Sequence, residues 1–318
     1  MSTKSPARAP TAQITASPRA WAELMLLAMI WGVSFLCNAV VLREVGFVTI
    51  VAFRVGGAAL VLWAYVLWRG FKFPRGVRIW GAFAVMGFLN NALPFTLITF
   101  GQQHIPSGLS AILNSTTAVF GILIAAIVFA DERLTLRKII GVSLGFLGAA
   151  IAIGLDAIHA FDITSLAQLS LIGAAIAYGL SGAWARAKLT GMRPQIASAG
   201  MLTCSSAMMI PFALWTEGLP SLGYSPATWG GLFYLAVLAT AGAYLLYYRI
   251  AASAGVGNLL LVTLLVAPIA ILLGAVILGE SLAPNAYFGF ALLALGLLII
   301  DGRILRHLRA ASHNRPAN

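Results

Sequence analysis

The chain is a succession of apolar runs, each about as long as the hydrocarbon core of a bilayer is thick. The runs occupy roughly 20–42, 46–68, 79–101, 106–130, 137–155, 167–185, 194–215, 228–249, 255–279 and 283–302. A helix needs about 20 apolar residues to cross a ~30 Å core. None of the runs alternates with period two, so they read as helices and not as strands. Composition agrees. AVILMFWYC residues make up 60% of the chain and charged residues 9%, against about 25% charged in a soluble domain. Too few charges are present to coat a soluble globule. The sequence therefore predicts an all-α integral membrane protein of ten transmembrane helices.

The net charge of +11 is a matter of topology and not of nucleic-acid binding, because the basic residues do not cluster with polar or aromatic neighbours. Eighteen of the twenty Lys and Arg fall in the two tails and in alternate connectors. Arg43 alone lies in the other connectors, and Arg54 alone lies inside a span. Such a bias marks the cytoplasmic side. It predicts an even number of spans in the plasma (inner) membrane, with both termini cytoplasmic. Residues 1–19, rich in Ser, Thr, Ala and Pro, read as a disordered cytoplasmic tail, and residues 303–318 as a basic one. Cys37 and Cys204 both sit in apolar runs, which suits neither a disulfide framework nor a metal site. No cofactor is expected.

The chain also resembles itself at an offset of about 147–148. Trp31-Gly32-Val33-Ser34 recurs as Tyr178-Gly179-Leu180-Ser181, Glu132 as Glu280, and Gly141 and Gly148 as Gly289 and Gly296. The matches divide the chain into five-helix repeats at 20–155 and 165–302. Five is odd, so the second repeat enters the membrane the opposite way up. The connector charges invert accordingly: four basic residues follow the second span and none follows the seventh. Such inverted-topology repeats allow alternating access to a central site.

Trp31-Gly32, Arg54, the segment Ala130-Asp131-Glu132-Arg133-Leu134-Thr135, and Leu278-Gly279-Glu280-Ser281 with Pro268 upstream together resemble the EamA family of the drug/metabolite transporter superfamily. The resemblance spans nearly all of residues 20–302. It departs at Ala130-Asp131, where the family has Leu-Gly, and no proline near Thr117 matches Pro268. It implies a ten-helix carrier that usually exports metabolites, amino acids or toxic compounds.

Polar groups inside spans are expensive and invite a functional reading. Asn90 and Asn91 lie about eleven residues, roughly 17 Å, into the third span, near mid-depth. Pro94 follows and leaves the Asn90 carbonyl without its helical N–H. Ser107, Ser110, Asn114, Thr117 and Gly121 share one face of the fourth span. Trp31 and Tyr178 are repeat equivalents at mid-depth, and Thr240 and Tyr244 lie in the eighth span. The expected substrate site is therefore Trp31, Asn90, Asn91, Asn114 and Thr117 from the first repeat, with Tyr178, Thr240 and Tyr244 from the second. Asn114 maps near Val262 and Thr117 near Leu265, so one wall carries amides and the other aromatics. Arg54 has two readings, a hold on a substrate carboxylate or a structural tie. The structural one is preferred, because the resembled family carries Arg there across varied substrates. Pro94 and Pro268 are also assigned structural roles, and Glu132 and Glu280 are expected to be helix-end residues near water.

The favoured function is a secondary transporter exporting a small metabolite, an amino-acid-like compound or a drug, with the bilayer and the solute as its partners. A homodimer is left open. A lipid-linked sugar flippase is the alternative. A membrane-embedded enzyme ranks lower, for want of a mid-span acid pair or an H-E-x-x-H.

Overall fold

The computed structural model describes residues 18–130, 132, 135–153, 163–254 and 256–301. The two expected tails lie almost wholly outside these residues, as do Asp131, Arg133 and Leu134 of the family-like segment. The described residues are all-helical with short connectors. In chain order they form α1 (Pro18–Val41), α2 (Phe47–Trp68), α3 (Val77–Gln102), α4 (Ser107–Val128), α5 (Leu136–Ile153), α6 (Ile163–Lys188), α7 (Pro194–Thr216), α8 (226–254), α9 (256–278) and α10 (Pro284–Asp301). Eight helices, α1 to α8, are long and apolar enough to cross a membrane. Two shorter apolar helices follow, Leu265–Leu278 in α9 and Pro284–Ile300 in α10.

Local chemistry sets the ends. Ser225 caps α8 by accepting the Thr228 N–H at 3.3 Å, and Pro226 fills the first helical position, where no N–H is needed. Gly279 adopts φ 68° after α9. That left-handed conformation is open to glycine and turns the chain sharply out of the helix.

Several helices are interrupted where the sequence suggests continuous spans. In α3 a π-helical turn, Phe88–Ala92, sits just before Pro94. Proline removes the N–H that Asn90 O would accept, and the Leu93 N–H reaches back five residues to Phe88 O. A second π segment, Tyr234–Gly242, occupies α8 with no proline beside it. A third, Gly274–Leu278, closes α9. Helix α4 breaks at Ser115 and Thr116. Pro268 lies within α9 on its exposed side.

The packing is two-fold. α1 packs on α9 as α6 packs on α4, and α2 packs on α7 and α5 on α10. The recurring glycines lie on the α5–α10 seam. A Cβ at Gly141 would stand 2.6 Å from Gly296 O, and one at Gly148 would stand 2.6 Å from Gly289 O. The lower-numbered glycine of α5 thus faces the higher-numbered one of α10, so these repeat equivalents run antiparallel. Ser115 Oγ lies 3.0 Å from the carbonyl of its own counterpart, Thr263. The Trp31-Gly32 and Tyr178-Gly179 pairs serve the same packing. Gly32 lies against Ile269 of α9, and Gly179 against Phe120 and Gly121 of α4.

Gly289→Ala is expected to destabilise the fold by about 1–3 kcal/mol, the usual cost of overpacking. Its Cβ would meet backbone atoms, Ala152 N and Gly148 O, each at 2.5 Å, which cannot move aside. Gly81→Ala is the matched control, since nothing lies within 4 Å of its Cβ. Thermal unfolding in detergent checks the pair, and equal Tm values would contradict the seam.

The face that carries the connectors 42–46, 103–106 and 217–225 is stitched by carboxylates. Glu280 accepts Ser107 N–H at 2.9 Å, Ser107 Oγ at 2.7 Å and Gly108 N–H at 3.3 Å, all at the start of α4. Glu217 accepts Val48 N–H at 3.1 Å and Thr49 N–H at 2.8 Å at the start of α2. Glu44 accepts Ser225 N–H at 2.8 Å, and the Ser225 contacts, its hydroxyl first, hold the Glu44 carboxyl below the usual carboxylate range. Each side chain satisfies orphan N–H groups of a helix remote in sequence, where the helix dipole also favours negative charge. Glu280 follows the end of α9, and its carboxylate joins the second repeat to the first. Its counterpart Glu132 pairs with Lys138 at 3.1 Å and Arg186 at 3.3 Å.

Candidate functional site

Asn90 and Asn91 lie in the π turn of α3, and the residue of α8 that meets them, Tyr244, follows that helix's own π segment by two residues. Asn90 Nδ2 donates to Tyr244 OH at 2.9 Å, and Tyr244 OH donates to Asn91 Oδ1 at 2.6 Å. One phenol from the second repeat therefore bridges both amides of the first. Ser181 Oγ lies 2.9 Å from Asn90 Oδ1 and 2.8 Å from Tyr178 O, and its single proton serves one or the other. Ser34, its counterpart in α1, makes the same backward contact to Trp31 O at 2.6 Å. Ser181 escaped the site assignment although it stands in the repeated four-residue motif, where a hydroxyl three residues after an aromatic was the available signal.

Trp31 is tied to the π segment of α8. Its Nε1 donates to Ala239 O at 3.2 Å, and its ring lies 6.1 Å from that of Tyr247. Thr240, the next residue, accepts Arg54 Nε at 2.9 Å and donates to Leu235 O at 2.8 Å. The Arg54 guanidinium lies over the Phe95 ring, 3.8 Å from its centroid. These contacts reach from α2 to α8 and α3. Tyr178, Tyr244 and Tyr247 are half-buried.

The structure thus gathers Asn90, Asn91 and Tyr244 with Ser181 into one hydrogen-bonded cluster, which Tyr178 meets only through its backbone carbonyl, while Trp31 and Thr240 bond to the π segment of α8. It places Asn114 and Thr117 at the break of α4, outside that network. Thr117 Oγ1 donates to Asn114 O at 2.7 Å, and Asn114 Oδ1 is sealed without a partner. A surface cleft of about 350 Å³ lined by Gly70, Phe71, Lys72, Arg193 and Ile196 includes none of the expected site residues. Arg193 lies over Phe71 there, 4.4 Å from the ring centroid.

The sequence pattern of the EamA-like transporter family matches residues 20–154 and again 165–301. An uncharacterized transporter of Archaeoglobus fulgidus is 23% identical over 88% of this chain and 98% of its own length. The uncharacterized transporter YvbV of Bacillus subtilis is 26% identical over 87% and 90%. A protein of Streptantibioticus cattleyicolor named "probable terminal-alkyne amino-acid exporter" is 28% identical over 93% and 97%. A crystal structure matches with a TM-score of 0.65 at 17% identity, covering 91% of this chain and 98% of that one, a likeness of fold alone.

Proposed function

The chain belongs to the EamA-like transporter family, and from that premise we propose that it is a secondary carrier that exports a small amino-acid-like metabolite by alternating access. It is a multi-pass membrane protein. The observation that carries the reading is the Asn90–Tyr244–Asn91 bridge between repeats, which runs from the π turn of α3 to the first turn after the π segment of α8. π turns recur at functional positions because they free backbone groups and re-aim side chains. A polar cluster between two repeats, beside interrupted helices, is where carriers of inverted repeats bind their solutes. The relative from S. cattleyicolor, named an amino-acid exporter, supports the solute class.

In this reading α9 and α10 complete ten spans, the second repeat is inverted, and both termini are cytoplasmic. The face stitched by Glu44, Glu217 and Glu280 is external. Trp31, Tyr178 and Tyr244 supply apolar walls, and Asn90, Asn91 and Thr240 supply hydrogen bonds. Asn114 and Thr117 line the approach from α4.

Purified protein in proteoliposomes should move a neutral L-amino acid or a close analogue with no chemical change to it. Recovery of a chemically altered solute would point to an enzyme instead. Single cysteines test the orientation: in intact cells Ser221→Cys should react with an impermeant maleimide and Arg75→Cys should not. External labelling at position 75 would overturn the topology.

A further inference from the structure

Arg54 is 6% exposed in the middle of α2. The guanidinium stays protonated, and a buried charge without a counter-charge is costly. Among the described residues no carboxylate pairs with it. The ion pairs there join Glu23 and Glu132 to basic groups elsewhere. Its protein contacts engage Nε, through Thr240, and the flat face, through Phe95. The two terminal nitrogens have no acceptor on a described residue.

A second unused donor lies on α3, the helix whose Phe95 ring underlies the guanidinium, and bonds like Arg54 to α8. Asn91 is fully buried, and its Oδ1 is taken by Tyr244. Its Nδ2 has no partner and is closed to solvent in this conformation, so a ligand reaches it only as the halves move. Asn91 precedes Phe95 by four residues, which puts it one turn along the helix from the ring under the guanidinium. A buried donor without an acceptor is destabilising, and both groups are donors left in that state. Tyr178, Tyr244 and Cys37 are the titratable side chains facing Arg54, and none of them is a carboxylate.

We propose that the Arg54 terminal nitrogens and Asn91 Nδ2 together hold the carboxylate of the carried solute, which is an organic acid with an apolar body of the neutral amino-acid class. The inference rests on the carrier reading. A guanidinium fork presents two parallel donors that match the two oxygens of a carboxylate. Phe95, Tyr178 and Tyr244 around it suit an apolar body and not a bare inorganic anion. The structural tie stands beside this role, because Nε makes the tie and the fork is left for the ligand.

The test is thermal unfolding of the full chain in detergent with L-leucine, L-methionine and L-phenylalanine, each against its own amide, and with sodium acetate and sodium chloride. At least one acid should bind at least tenfold more tightly than its amide and more tightly than acetate or chloride. Arg54→Lys keeps the charge and loses the fork, and should erase the preference for acid over amide. Asn91→Asp, near-isosteric, should erase it as well and covers the case in which the Arg54 variant does not fold. Equal binding of acid and amide, an equal effect of acetate or chloride, or no binding by any acid would overturn the proposal. Proteoliposome flux of the same probes separates the two readings. Binding that prefers acids without flux overturns the carrier and keeps the carboxylate site. Flux of amides with none of acids keeps the carrier and overturns the site.

Discussion

Asn90→Leu should cut solute flux roughly 5- to 150-fold while the protein still reaches the membrane. Asn90 gives one hydrogen bond to Tyr244 and lies within reach of the Ser181 hydroxyl, so its loss removes polar contacts to both α6 and α8 and leaves the Tyr244 oxygen without its donor. Leaving a buried polar group unsatisfied costs about 1–3 kcal/mol, which is the stated range when expressed as an equilibrium ratio. Because these partners are protein groups, the variant should also unfold at a lower temperature, an effect the sequence alone does not predict. Leu295→Ala is the control, since Leu295 is 48% exposed on α10 and should matter little. Proteoliposome flux across a range of solute concentrations decides the matter. A wild-type rate in Asn90→Leu would reduce the amides to packing groups.

Glu280→Ala should destabilise the protein by about 1.5–3 kcal/mol, the range for hydrogen bonds to a charged group. The carboxylate accepts from Ser107 N, Ser107 Oγ and Gly108 N at the start of α4, and nothing else in the connector replaces it. Glu280→Gln retains an acceptor oxygen and should fall between the two. Gly274→Ala should act in the same direction, because its Cβ would lie 2.4 Å from Glu280 Oε2 and 2.8 Å from Ser107 Oγ. The measurement is Tm in detergent. An unchanged Tm in Glu280→Ala would show that the α4 terminus is satisfied from water.

The helices and the repeat were legible in the sequence because both follow from local patterns. Long apolar runs specify helices, and glycines spaced alike in two halves specify a shared seam. The glycine matches 141/289 and 148/296 appear in space as reciprocal contacts. The π turn of α3 was half legible: Pro94 marks the missing N–H, but not how the backbone answers. The π segment of α8 has no such marker, because Tyr234–Gly242 contains no proline. Partners distant in sequence were illegible for the same reason. Nothing local to Glu217 points to the N–H groups of Val48 and Thr49, about 168 residues away. Asn114 and Thr117 share a helical face with Ser107 and Ser110, yet a break at Ser115 and Thr116 separates them from that regular face. Period counting assumes an unbroken helix, and α4 is not one.

The glycine seam also works as a register key. Gly148 and Gly289 touch backbone to backbone, and so do Gly141 and Gly296, seven residues away on each strand of the seam. Sliding α10 by one residue would set Phe288 or Phe290 where Gly289 stands and Leu295 or Leu297 where Gly296 stands. Both ends of the contact would jam at once, since each faces main chain. A one-residue insertion or deletion in either helix therefore cannot be absorbed there and must be taken up in the connectors 129–135 or 279–283. The same contact aligns one half of the molecule against the other to within a single residue.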